Sequence, residues 1–213
     1  SLSPQAATSA ARGPAASPAS RRERREGRGG GVSIAARRYR RIAVVAFQLN
    51  GVDVSVEVDG VSLLDVLREH LGVRSAKDGC APQGQCGCCT VWVDGQPRVA
   101  CVTPIRRVEG RDVRTLEGLD EVASQQWADA LCATGGTQCG FCTPGIVMRL
   151  EALRGSGRLG DERQVVRGLA AHLCRCTGWR TIVEAAEIVA SGDVPGQEGR
   201  DLDAAARRAS IEG

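Results

Sequence analysis

Apolar and polar positions divide the chain into two parts with different periods. From Arg41 to Leu49 β-branched and apolar residues dominate, Asn50-Gly51 is a turn signal, and Val52–Val58 alternates apolar with polar, which together predict a hairpin. Leu63, Leu64, Val66, Leu67 and Leu71 then recur at helical spacing, predicting a helix over Ser62–Leu71 with Gly72 as its stop. Thr90–Val93, the Asp94-Gly95 turn and Arg98–Val102 predict a second hairpin, and Asp112–Thr115 one further short strand. After Leu116 the period becomes helical. Ser124–Ala133, Pro144–Arg154, Asp161–His172 and Thr181–Ala190 read as four short helices, with Pro144 in a first turn and Asp161 as an N-cap. Strands packed with one helix, then helices alone, indicate an α+β chain with two units, 42–116 and 117–190.

Composition separates off the two ends. Residues 1–41 hold ten arginines against two glutamates and almost no large apolar side chain. Such a segment cannot bury enough surface to offset its ordering entropy, so a disordered basic leader is expected there. It carries +8 of a chain total of +3, leaving −5 on residues 42–213. Residues 191–213 are polar and Gly-rich and read as a tail. The basic leader could reach nucleic acid or an anionic membrane, but a reach onto a partner subunit is the expectation. No apolar run approaches 18 residues, so no span of a membrane is expected.

Ten cysteines then become the main feature. A secreted chain could use them as a disulfide scaffold. The arginine pairs near residues 21–25 lead into glycines rather than an apolar stretch, so an export signal is not read there. Reduced, metal-binding cysteines in the cytoplasm are the expectation. Cys80-x5-Cys86-x2-Cys89 followed by Cys101 falls one residue from the C-x4-C-x2-C plus distant cysteine of plant-type [2Fe–2S] ferredoxins. Gly79, Gly84 and Gly87 would let the loop aim backbone N–H groups at sulfur. The extra residue leaves open whether Cys88 or Cys89 binds iron, and the x2 spacing favours Cys89. Cys139-x2-Cys142 with Cys174-x-Cys176 forms a second set, at the ends of predicted helices, which on spacing alone suits zinc as well as iron–sulfur. Cys88 and Cys132 are left over and read as small buried hydrophobes.

Taken together, Lys77-Asp-Gly-Cys80, Gly84-Gln-Cys-Gly-Cys-Cys-Thr-Val91, Gln138-Cys-Gly-Phe-Cys-Thr-Pro-Gly145 and Leu173-Cys-Arg-Cys-Thr-Gly178 resemble the small subunit of the xanthine dehydrogenase, aldehyde oxidase and carbon monoxide dehydrogenase family. The resemblance covers roughly residues 42–190. It implies a ferredoxin-like β-grasp domain followed by a four-helix-bundle domain, each with one [2Fe–2S] cluster. The first would be held by Cys80, Cys86, Cys89 and Cys101, the second by Cys139, Cys142, Cys174 and Cys176.

The family further implies a large molybdopterin-binding subunit and a medium FAD-binding subunit as partners, in a dimer of heterotrimers. The second cluster would lie nearest the pterin, with Gln138 at the pterin contact, and the first nearer the flavin. This subunit would relay single electrons and carry no catalytic acid, base or nucleophile. Two positions depart from the family pattern: His172 stands where Asn is common, and Trp179 where Tyr is common. His172 reads as a packing histidine and Trp179 as a retained aromatic contact. Two rivals follow from the residues: a zinc-stabilised interaction module, and a free-standing two-cluster ferredoxin.

Overall fold

The computed structural model describes residues 43–195. The expected leader 1–41 lies outside the described residues, as does all of the expected tail beyond residue 195. Strands β1 (Ala43–Leu49) and β2 (Val52–Val58) form an antiparallel hairpin in which Ala43 faces Val58 and Leu49 faces Val52. Its turn needs positive φ at both central residues, supplied by Asn50 (53°) and Gly51 (82°). Asn50 also fastens a distant segment to this turn. Its side chain accepts the Thr115 N–H at 2.9 Å and donates to the Thr115 hydroxyl at 3.0 Å. The second hairpin, β3 (Thr90–Val93) and β4 (Gln96–Val99), uses Asp94-Gly95 in the same way. Asp94 also accepts the Asp112 N–H at 3.1 Å.

β5 (Asp112–Arg114) joins the hairpins into one five-stranded sheet of order β2-β1-β5-β3-β4, parallel to β1 and antiparallel to β3. Two expected boundaries change most in this unit. The second hairpin ends at Val99, and Ala100–Val102 is a 3₁₀ turn, not strand. The helix expected over Ser62–Leu71 starts as predicted, with a Ser62/Asp65 capping box on α1 (Leu63–Asp65), but then widens into a π-helix over Val66–His70. Widening keeps Leu63, Leu64, Val66 and Leu67 buried together beneath the sheet.

Four helices follow: α2 (Glu121–Thr134), α3 (Thr143–Gly155), α4 (Glu162–Leu169) and α5 (Arg180–Ser191). Asp120 and Asp161 cap α2 and α4 through backbone N–H groups. α4 stops three residues short of His172, and the released loop carries Cys174 and Cys176. α2 packs on α5, and α4 on both α3 and α5. Their inner faces, with Trp127, Ile146, Leu150 and Ile182 almost fully buried, form a second core separate from that of the sheet. Cys132 is exposed on α2, contrary to the buried role expected of it. Among the described residues no helix is long and apolar enough to cross a membrane.

α3 meets both cores. It packs on β3, and the half-buried Trp92 indole donates to the Met148 carbonyl at 2.8 Å. Losing that bond in Trp92→Phe is expected to cost about 1 kcal/mol, or roughly 2–4 °C in Tm by thermal melt. An unchanged Tm would show the bond to be incidental.

Candidate metal centres

The first cysteine group is built by a loop that curls on itself. Ala81, Gly84 and Gly87 all have positive φ, and Gly87 could carry no side chain because a Cβ there would lie 2.5 Å from the His172 ring. The curl turns N–H groups toward sulfur: Gln83 donates to Cys80 Sγ at 3.3 Å and Cys101 to Cys89 Sγ at 3.5 Å. Cys101, on the 3₁₀ turn after β4, brings its thiol to those of Cys89 and Cys80. Cys80 in turn meets the thiol of Cys86. Cys89 and Cys101 belong to the sheet core, whereas Cys88 turns into the helical core. Cys88 and Cys89 are the central residues of a turn closed by the Thr90 N–H on the Gly87 carbonyl at 3.1 Å, and Cys88 lies with Cys86 on the helical side, where the two thiols meet.

The second group sits where two loops meet at helix ends. Cys142 is the N-cap residue of α3 with Cys139 just before it, and Cys174 and Cys176 lie in the loop between α4 and α5. Cys176 Sγ lies 3.4 Å from Cys139 Sγ, and Cys142 meets the thiol of Cys174. A cavity of about 310 Å³ opens between these loops; exposed Gln138 and Phe141 line it, and it reaches Cys86 and Cys88 on the first loop.

The thiols within each group differ in acidity. The N–H of Gln85, then that of Gln83, holds the Cys80 thiol down at about 6. Burial opposes ionisation of Cys174, yet hydrogen bonds from the Thr177 hydroxyl and the Thr177 and Cys176 N–H groups win and place it at about 7. Cys139 is lowered by the Phe141 N–H and the Cys176 thiol. Burial drives Cys89 and Cys142 up to about 12 and raises Cys101. Each group thus sets thiols whose hydrogen bonds favour the thiolate beside thiols whose burial opposes it.

The two groups are in close register. Leu173 N–H, one residue before Cys174, donates to the Cys86 carbonyl at 3.0 Å. Gly145, three residues after Cys142, presses on the first loop so closely that a Cβ would lie 2.2 Å from the Gly87 carbonyl oxygen. His172 is 5% exposed, and its Nε2 is 3.3 Å from the Thr90 hydroxyl. Thr90 gives its proton to the Gly87 carbonyl at 2.7 Å, so Nε2 is the donor toward the Thr90 oxygen. Burial first, and the Arg149 guanidinium second, push this imidazole down to about 4 against a Gly145 backbone group that favours the proton. Thr90, Gly145 and Thr177 were not singled out by sequence reasoning as site residues. Only their place beside or within cysteine motifs could have marked them.

Among the described residues, no three His, Cys, Asp or Glu side chains converge on a single ion. The second group meets as the pairs Cys139/Cys176 and Cys142/Cys174, and the first as a run of neighbouring thiols from Cys89 through Cys101 and Cys80 to Cys86; a [2Fe–2S] cluster with four cysteines takes them two to each iron. The donor set therefore fits such a cluster at each group.

Comparison with known proteins agrees with this chemistry. Residues 47–112 match the "2Fe-2S iron-sulfur cluster binding domain" family and residues 115–187 the "[2Fe-2S] binding domain" family. The chain is 40% identical over 139 residues to the xanthine dehydrogenase iron-sulfur-binding subunit of Escherichia coli O157:H7, covering 63% of this chain and 86% of that protein. It is 39% identical to aldehyde oxidase 2 of Cavia porcellus, covering 66% of this chain and 12% of that protein. The first curated relatives are much longer, and the chain spans between 11% and 16% of their length. Quinoline 2-oxidoreductase of Pseudomonas putida 86 has a similar chain in its crystal structure, with TM-score 0.65, 31% identity, and coverage of 72% of this chain and 95% of that one.

Proposed function

The chain belongs to the family of iron–sulfur subunits found in xanthine dehydrogenase and aldehyde oxidoreductase, and from that premise we propose that it relays single electrons inside a multi-subunit molybdenum hydroxylase. The observation that carries this reading is the gathering of cysteine thiols into two neighbouring groups, one on the loop before β3 with Cys101 and one at the helix ends. Cys80, Cys86, Cys89 and Cys101 would hold one cluster, and Cys139, Cys142, Cys174 and Cys176 the other. Each cluster, when bound, accepts and returns one electron. The chain's own residues fix the thiolates, donate N–H bonds that lower their charge density, and bury Cys86, Cys89, Cys101 and Cys142 away from water.

Several finer points belong to the same proposal. The two separate cores support a division into a ferredoxin-like β-grasp domain (42–116) and a four-helix-bundle domain (117–190). Molybdopterin and FAD would reside in a large and a medium partner subunit, assembled as a dimer of heterotrimers. The cavity beside Cys139, with Gln138 on its wall, suits the side facing the pterin. Substrate conversion would occur in the large subunit, with no converting site on this chain. A cytoplasmic location belongs to the same proposal, since cluster ligands must stay reduced.

The test is metal analysis of the purified full chain. About four iron and four acid-labile sulfide per chain are expected, with two distinguishable one-electron signals on reduction. Zinc without labile sulfide would sink the proposal. Cys88→Ser is expected to keep all four irons, whereas Cys89→Ser should fall to about two. The reverse pattern would reassign the ligand.

A further inference from the structure

The first cysteine group borders a basin with an unusual charge for this body. Arg98 from β4, Arg106 and Arg107 from the 3₁₀ turn Ile105–Val108, and Arg111 before β5 surround a basin of about 790 Å³. Buried Val93 and Val108 lie beneath it, and Val102, 55% exposed, forms one side. Charge compensation is incomplete. Asp94 lies 3.4 Å from Arg111, and Glu109 is on the rim, but Arg98, Arg106 and Arg107 have no carboxylate partner among the described residues. Residues 42–213 together carry −5, so this positive basin runs against the charge of its own surroundings.

Its place matters as much as its charge. Val102 directly follows Cys101, and its methyl groups cover Gly84, 3.2 Å from where a Cβ there would lie. Whatever settles on Val102 therefore lies over the edge of the first cysteine group. A site for a small anion would need converging, desolvated donors, and here all four arginines are exposed. Exposed arginines around an apolar patch are instead the composition of a protein interface. Complementary charge across such an interface fixes its register, rejects wrong partners and speeds the first encounter.

We propose that this arginine basin docks a carboxylate-rich face of the flavin-bearing protein that exchanges electrons with the first cysteine group. The proposal rests on that group holding a redox cluster, which iron content and visible absorbance of the purified chain establish before any kinetics.

The probe is an acidic flavodoxin in its hydroquinone form, which gives one electron to an oxidised cluster and becomes the semiquinone. Bleaching of the cluster is followed by stopped flow in the full chain. Arg98→Glu/Arg106→Glu/Arg107→Glu should slow the bimolecular step about tenfold or more at low salt, and the deficit should shrink as salt rises. Arg158→Glu/Arg163→Glu/Arg167→Glu makes the same change in net charge elsewhere and should stay within about twofold of wild type. A milder Arg106→Gln/Arg107→Gln chain should fall between wild type and the first variant, guarding against a folding defect. Equal slowing in both triple variants, or slowing in neither, would overturn the proposal. So would inhibition of the wild type by inorganic phosphate at constant ionic strength, which would mark a small-anion site.

Discussion

Gly145→Ala is expected to melt several degrees below wild type, whereas Gly155→Ala in the same helix should not. At Gly145 an added Cβ would lie 2.2 Å from the Gly87 carbonyl oxygen and 3.0 Å from Cys88 Cα. Both are backbone atoms, so no rotamer can relieve the overlap. Either the first turn of α3 withdraws from the cysteine loop or the loop itself shifts. Overpacking of this kind costs about 3 kcal/mol at its upper end, which corresponds to roughly 6–12 °C in Tm for a chain this long. Gly155 has nothing within 4 Å of its Cβ position, so alanine there should gain about 0.5 kcal/mol from chain entropy alone. The position of Gly145 gives a second readout. Gly87 lies between Cys86 and Cys88, and Gly145 lies three residues after Cys142, so the shift should loosen both cysteine groups. Iron and sulfide retention should fall together at both sites. Equal melting of the two variants would mean that α3 is free to move, and that the tight contact is not what holds the two groups in register.

The same contact shows where sequence reading stops. Asn50-Gly51 and Asp94-Gly95 announced their hairpins because a two-residue turn needs positive φ at adjacent positions and few residues supply it. Asp161 announced the start of α4 because only a short side-chain acceptor reaches the first N–H groups. Such signals are local. The parallel pairing of β1 with β5 was not legible, since alternation tells which face of a strand is buried and not which strand lies beside it. The π-helix at Val66–His70 was hidden because its apolar positions still fit a helical stripe. The strand expected to Val102 ended early because Cys101 had to turn back toward Cys89, a demand of the site rather than of propensity. For the cysteines, spacing marked out the two loops that the structure brings together, although Cys88 meets the Cys86 thiol alongside the eight residues named. It could not say that Gly145 would press on Gly87, because a glycine motif records that space is short without saying which chain segment fills it.

Acidification should weaken wild type more than a His172→Asn chain. His172 is buried and neutral, held at about 4 first by desolvation and then by Arg149. In the unfolded chain an imidazole titrates near pH 6.5. Above the unfolded pKa neither state binds the proton, and the histidine costs nothing. Between that value and the folded one only the unfolded chain is protonated, so folding stability drains away as pH falls. By about pH 5 the loss is about 2 kcal/mol, and it is complete, at about 3 kcal/mol, once pH drops below the folded value. Asparagine has no such proton, so between about pH 7.5 and pH 5 the wild type should lose roughly 4–8 °C more in Tm than the variant. Acid damage shared by both chains, including any loss of iron, cancels in that difference. A comparison at a single pH does not isolate the proton, because removing the ring also empties the space over Gly87 and forfeits the bond to Thr90. Parallel pH profiles would show that the imidazole is protonated in place, with room for a partner at Nδ1. A steeper wild-type profile would show that the junction between the two cysteine groups tolerates this ring only while it is uncharged.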